Sequence, residues 1–361
     1  MTNKLKVTSA LVGSLLALSA TSAVAQTTVS GNLALSYITA KSETKAQSFR
    51  GFGKESQINI ANKGKLSNGL DYVAGFSLEM DGADTATSTA TPTGNTLQGQ
   101  QSENVYIDLI SGNTTFSIGA DHFQNADAQL SNIVGFGYIA ADGIGGAAAI
   151  YPSNLNIYQS YGIGLAQKTD IGSFGIYYTP NNKNSLAAND IFNSVTKAQI
   201  EGAVNAESAY ELTYRGDLGV KGLTLLGSYT DSANAANGNV ADASATRVGA
   251  QYNMGAFTVG YDRSRVENTF SNVGTLNKIH AQSFGVAYAI NKDLSAGLTY
   301  AEAEDKLTAG AKDETTIIAA IGYNLGPVSV QTQYKNAQNV GGTTTGANDG
   351  QTLSVYLNTR F

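Results

Sequence analysis

Chemistry-bearing side chains are few and widely spread. The chain has two histidines, His122 and His280, and no cysteine, which removes thiolate metal sites and cysteine nucleophiles. Neither histidine sits in a nucleophile motif. Asp121 and His122 are adjacent, and in a strand adjacent side chains point to opposite faces. No run of acids has the ligand spacing of a calcium loop. These observations argue against an enzyme, and they imply no metal and no cofactor.

The remaining chemistry is that of fixed charge. Between Asp121 and Gln167 there is no lysine or arginine, while Asp121, Asp127 and Asp142 are acidic. Carboxylates held in a low-dielectric constriction concentrate counter-ions. The same stretch contains "GFGYIAADGIGGAAAIYP", Gly135–Pro152, whose small, weakly apolar residues suit packing inside a larger enclosure. A solvated surface loop is the alternative reading.

The elements that must position these charges follow from a period of two. In "VSGNLALSY" (Val29–Tyr37), Val29, Leu33, Leu35 and Tyr37 share one face, and Ser30, Asn32 and Ser36 the other. "YELTYRGDL" (Tyr210–Leu218) and "VSVQTQYK" (Val328–Lys335) repeat the pattern. A helix, with period 3.6, does not separate residues this way. Sixteen such segments are predicted, near 27–40, 56–65, 69–80, 102–110, 114–121, 157–168, 173–179, 208–217, 222–230, 245–253, 256–266, 279–290, 294–303, 314–324, 328–335 and 352–361.

Their connections alternate. Seven are tight, such as Met254–Gly255 and Gly326–Pro327. Eight are long and polar, among them Lys41–Glu55, Asp81–Gln101 and His122–Asn156. Short turns at one end and long loops at the other mark a transmembrane antiparallel β-barrel with periplasmic turns and extracellular loops. Tyrosines sharpen this. Tyr178, Tyr229, Tyr261, Tyr300 and Tyr334 fall at one predicted rim, and Tyr214, Tyr252, Tyr288 and Tyr323 at the other, as two aromatic girdles would. A closed sheet cannot be divided, so one domain is expected. The last strand, "LSVYLNTRF" (Leu353–Phe361), then closes against the first, because an open edge in lipid leaves backbone groups unpaired.

Lys4 and Lys6, the apolar run Ala10–Ala20 and "AVA" before Gln26 read as a secretory signal peptide over residues 1–25, cleaved after Ala25. Removing 25 of the 361 residues leaves residues 26–361, with 20 basic and 28 acidic side chains and a net charge of about −8. That charge argues against nucleic acid as a partner. No later apolar run approaches the roughly 18 residues of a spanning helix, which a barrel strand does not need.

Two hairpins carry a family resemblance. "SQINIANKGKLSNGLDYVAGFSLE" (Ser56–Glu79) resembles the second and third strands of general Gram-negative outer-membrane porins, and "NVYIDLISGNTTFSIGAD" (Asn104–Asp121) the next hairpin. The terminal Phe361 matches the residue that the barrel-assembly machinery reads in such proteins. The resemblance implies a sixteen-stranded, trimeric diffusion pore in the outer membrane, with the third loop folded into the lumen as a constriction. Gln57, Ala61 and Ala120 depart from it, standing where the family often places basic wall residues.

The functional expectation is a water-filled channel for small hydrophilic solutes and ions, mildly cation-preferring. Its lining candidates are Asp121, Asp127, Asp142, Asp108, Glu211, Arg215 and Arg247. Arg215 and Arg247 either oppose the acids across the pore or pair with a neighbouring acid. Asp71, Glu79, Asp217, Lys335 and Arg360 share the inward phase. Arg263 and Arg265 fall outward beyond Tyr261, placed for lipopolysaccharide phosphates unless a bulge turns them inward. A substrate-specific channel for sugars or organic acids is the rival reading, with Tyr106, Tyr158 and Tyr356 as inward aromatics. An adhesin or structural barrel is a third.

Overall fold

The computed structural model describes residues 25–42, 48–79, 101–120, 162–180, 208–232, 242–268, 278–307, 309–340 and 349–361. They form sixteen strands. β1 to β5 are Gln26–Ser42, Ser48–Lys65, Asp71–Glu79, Gln101–Ser111 and Thr114–Ala120. β6 to β10 are Gly162–Thr169, Gly172–Thr179, Ala209–Gly216, Leu223–Ser232 and Ala243–Met254. β11 to β16 are Phe257–Glu267, Lys278–Ala289, Leu294–Asp305, Glu314–Asn324, Val328–Gln338 and Gly350–Arg360. Each strand pairs antiparallel with its chain neighbours, and β16 pairs with β1 to close the barrel.

The closure runs from Asn32 opposite Arg360 to Ser42 opposite Gly350. Beyond it, the Phe361 amide donates to the Gly31 carbonyl at 3.0 Å, and the Gly31 amide donates to the Phe361 carbonyl at 2.8 Å. A Cβ on Gly31 would lie 2.7 Å from the Phe361 ring and 2.4 Å from the Gln57 carbonyl oxygen. The final aromatic therefore packs where only glycine fits, and the chain end is tied into the sheet rather than frayed.

Tight turns join alternate strand pairs at one rim, and a recurrent local device shapes them. The Asp217, Asn253 and Asn324 side chains accept from the amides of Gly219, Gly255 and Gly326 at 2.8, 3.0 and 2.9 Å. Asn and Asp bond their own backbone two residues on, and glycine there takes the positive φ. Gly255 and Gly326 have φ of 77° and 88°.

Strand existence agrees with the alternation, but β2 is longer than predicted. It begins at Ser48, not near 56, and β1 runs to Ser42, so the first long connection narrows to residues 43–47. The stretch "SFRGFGKE" carries Gly51 and Gly53, which depress strand propensity. Cross-strand pairing overrides it, with the Tyr37 and Phe52 rings 5.1 Å apart. β6 begins at Gly162, and the predicted 157–161 lie outside the described residues. One bulge interrupts the β3–β4 ladder between Gly75 and Ser77. There Asn104 takes φ of 51° and its amide donates to Ser77 Oγ at 2.7 Å.

Candidate pore lining and outer surface

Side-chain exposure sorts the two faces of the wall. Leu33, Leu35, Ile163, Leu165, Ile176, Leu212, Leu298 and Leu357 are all exposed outward, at 37–50%. The outer-rim tyrosines Tyr178, Tyr229, Tyr261, Tyr300 and Tyr334 are exposed on this face, as are Tyr252, Tyr288 and Tyr323 at the other rim. Tyr214 is half-buried there, its hydroxyl donating to the Ile171 carbonyl at 2.7 Å and its ring 4.9 Å from Phe174.

The inner face of β4–β9 is polar. The registers set Asp108, Ser117, Gly164, Tyr177, Glu211 and Thr230 side by side across six strands. Ser117 Oγ donates to Asp108 Oδ1 at 2.6 Å, and Thr230 Oγ1 donates to Glu211 Oε2 at 2.6 Å. Tyr177 lies between the two carboxylates along this row. Glu211 is fully buried, and its Oε1 has no hydrogen-bond partner among the described residues. Glycine at 175 makes room: a Cβ there would sit 2.6 Å from the Tyr177 hydroxyl.

Next to this row stands a buried ion pair. Arg247 donates to Asp262 Oδ2 through Nε at 2.8 Å and Nη2 at 2.7 Å, and both side chains are under a tenth exposed. Of the two sequence alternatives for Arg247, the structure gives pairing with a neighbouring acid rather than a free charge facing the lumen. Arg215 is half-buried in the inward phase of β8. Asp71 also faces inward but is bridged to Lys65 at 2.8 Å near the tight-turn rim. Glu79 is buried and inward, Lys335 is half-buried and inward, Asp217 caps a turn, and Arg360 ends β16 exposed. Asp121, Asp127 and Asp142 lie outside the described residues, as does Tyr158. Tyr106 and Tyr356 do face inward, but on β4 and β16, far apart in the sheet.

Sequence reasoning passed over Asp262, Tyr177 and Glu314, which is 2% exposed on the inner face of β14. Asp262 is in the inward phase of "YDRSRV", but the flanking arginines draw the eye. Its bond to Arg247 is diagonal, since Asp262 opposes Gly249 and Arg247 opposes Ser264. Such a pairing needs the register. The registers of β11 with both neighbours are continuous, so no bulge turns Arg263 or Arg265 inward, and both are exposed on the outer face.

A closed antiparallel barrel with girdled apolar outside and polar inside is the architecture of an outer-membrane channel. A family model described as Gram-negative porin matches residues 9–344, and the chain belongs to that family, placing it in the outer membrane. Solved structures share the fold at low identity. The anion-selective porin from Comamonas acidovorans has 14% identity and a TM-score of 0.64, over 93% of this chain and 100% of its own. OmpT of Vibrio cholerae, in a trimer form, has 13% identity and a TM-score of 0.63, over 93% and 99%. A mutant Rh. blastica porin has 14% identity and a TM-score of 0.59, over 93% and 100%. The comparison with curated protein sequences returned no match.

Proposed function

We propose that this porin passes small hydrophilic solutes and ions by passive diffusion, with a mild preference for cations. One observation carries the preference. The buried charged side chains on the inner faces of the described strands are Glu79, Asp108, Glu211, Asp262 and Glu314 against Arg247, which Asp262 neutralises, with Arg215 and Lys335 half-buried on the same faces. Fixed carboxylates in a partly desolvated lumen raise the local cation concentration. Asp121, Asp127 and Asp142 add to this field if the third loop folds inward, as the family resemblance implies. No catalytic step is assigned to the protein.

The working unit is proposed to be a homotrimer, by analogy with the trimer form of the Vibrio cholerae protein. Residues 1–25 are proposed as a signal peptide cleaved after Ala25, which leaves Gln26, the first residue of β1, as the new N-terminus. Phe361 is proposed as the signal read by the barrel-assembly machinery. Liposome swelling with sugars of increasing size tests the diffusion reading. Permeation should fall smoothly with solute size and show no saturation. A rate that saturates with one sugar would instead establish a substrate-specific channel. N-terminal sequencing of the protein from outer membranes checks the cleavage site.

A further inference from the structure

Charge on the inner face is sorted by depth as well as by wall. The tight turns and the strand ends that they join all lie among the described residues. Near that end, in the inward phase, stand Lys63 on β2, Lys168 on β6, Arg215 on β8 and Arg360 on β16. Lys63, Lys168 and Arg360 are exposed, and none of them is in an ion pair among the described residues. The acids beside them are mostly balanced. Asp71 is bridged to Lys65 at 2.8 Å and Asp293 to Lys292 at 3.0 Å, while Asp217 shares its turn with Lys221. Asp170 is the one other acid in these turns. The mouth at the tight-turn end, which faces the periplasm in such barrels, therefore carries net positive charge.

Farther out on the same wall the sign reverses. Glu79 ends β3, Glu314 begins β14 and Glu211 lies near the start of β8, all buried on the inner face. Lys335 is the base that opposes them, since Arg247 is neutralised by Asp262. Asp108 stands between the two zones. β8 carries both signs itself: Glu211 and Arg215 are four residues apart, or roughly 13 Å along a strand. Lys63 opposes Val73, six residues below Glu79, or roughly 20 Å. Both separations exceed the Debye length of about 10 Å at 0.1 M salt, so the two zones act on ions separately.

We infer that the lumen is a bipolar pore, acidic towards the outside and basic at the periplasmic mouth, and that it conducts better in one direction than in the other. The inference rests on the proposed cation-attracting acids of the lumen and adds the basic mouth to them. Potassium collects in the outer zone and chloride in the inner one. When the outside is positive, the field drives both ions towards the junction of the zones, carriers accumulate and conductance rises. When the outside is negative, it draws both away from the junction, and conductance falls.

Single-channel currents of the purified full-length protein in symmetric KCl, at equal voltages of either sign, test it. Ala256→Cys, on an exposed tight turn of a chain with no other cysteine, reports which chamber faces the turns through one-sided reaction with an impermeant thiol-reactive polymer. Wild type should pass about twice the current with the outside positive at 0.1 M KCl, and the ratio should approach unity at 1 M, where the Debye length falls to about 3 Å. Lys63→Gln/Lys168→Gln/Arg360→Gln should bring the ratio close to unity at 0.1 M, with conductance steps retained and cation preference strengthened. Arg360 adjoins Phe361, so Lys63→Gln/Lys168→Gln, expected to remove about half of the asymmetry, serves if the triple variant assembles poorly. A wild type that is cation-selective but conducts equally in both directions overturns the inference and leaves the proposed function standing. Asymmetry that survives these substitutions, or that favours the opposite voltage, also overturns it. Asymmetry of the expected sign in an anion-selective wild type would support the two zones and remove the cation preference.

Discussion

The inner wall of β4–β9 and the inner wall of β11–β14 face the same lumen and are built differently. The first carries a row from Asp108 through Ser117, Tyr177 and Glu211 to Thr230; the second sets Asp262, Ser264, Ser283, Thr299, Glu314 and Thr316 beside an apolar band of Val266, Ile279, Ala281, Ala301, Ala303 and Ile318, each of that band 7% exposed or less. At the outer ends of β11–β13 the usual barrel polarity is inverted. Val266, Ile279 and Ala303 face in, while Arg265, His280 and Glu304 face out. Polar-in and apolar-out is thus a rule for the membrane-embedded part of a strand, not for its whole length. Above the tyrosines, water and headgroups take the outside, and the inside is free to pack.

Substitutions can sharpen or break that contrast. The largest effect is expected from Ala281→Asp, which puts an unpaired carboxylate into the apolar cluster of Ile279, Ala281 and Ala303. Burying a charge without a partner is among the few changes that cost more than about 4 kcal/mol, and heat-modifiable gel shifts should show little folded barrel. Next comes Asp262→Ala, which strands the buried Arg247 guanidinium. Removing one partner of a buried pair costs about 3–5 kcal/mol, so the denaturation midpoint in urea should drop clearly, and Asp262→Ala/Arg247→Met should recover much of it. Glu211→Gln on the polar wall keeps the acceptor for Thr230 and should barely move that midpoint, while weakening cation preference. The smallest effect belongs to Arg265→Ala outside. Its bridge to Glu267 is half-exposed, and such pairs contribute under about 1 kcal/mol.

Much of this was legible in the chain. Period-two alternation located the strands, and the spacing of Tyr229, Tyr261 and Tyr300 located the outer girdle. Phe361 and its closing strand were visible for the same reason. What stayed hidden depends on register. The Asp262–Arg247 pair crosses between positions that no spacing rule relates, and the row from Asp108 to Thr230 is drawn from six separate segments. The start of β2 was missed because Gly51 and Gly53 lack strand propensity of their own and borrow it from β1.

Charge on the polar wall is the central claim, and its most direct test is a reversal potential. The purified, folded protein would be placed in a planar bilayer under a KCl gradient, beside the Asp108→Asn/Glu211→Gln variant. Wild type should show stepwise conductance with a cation-selective potential, and the variant should move toward zero with its conductance steps retained. An anion-selective wild type, or a potential that ignores the two substitutions, would contradict the account.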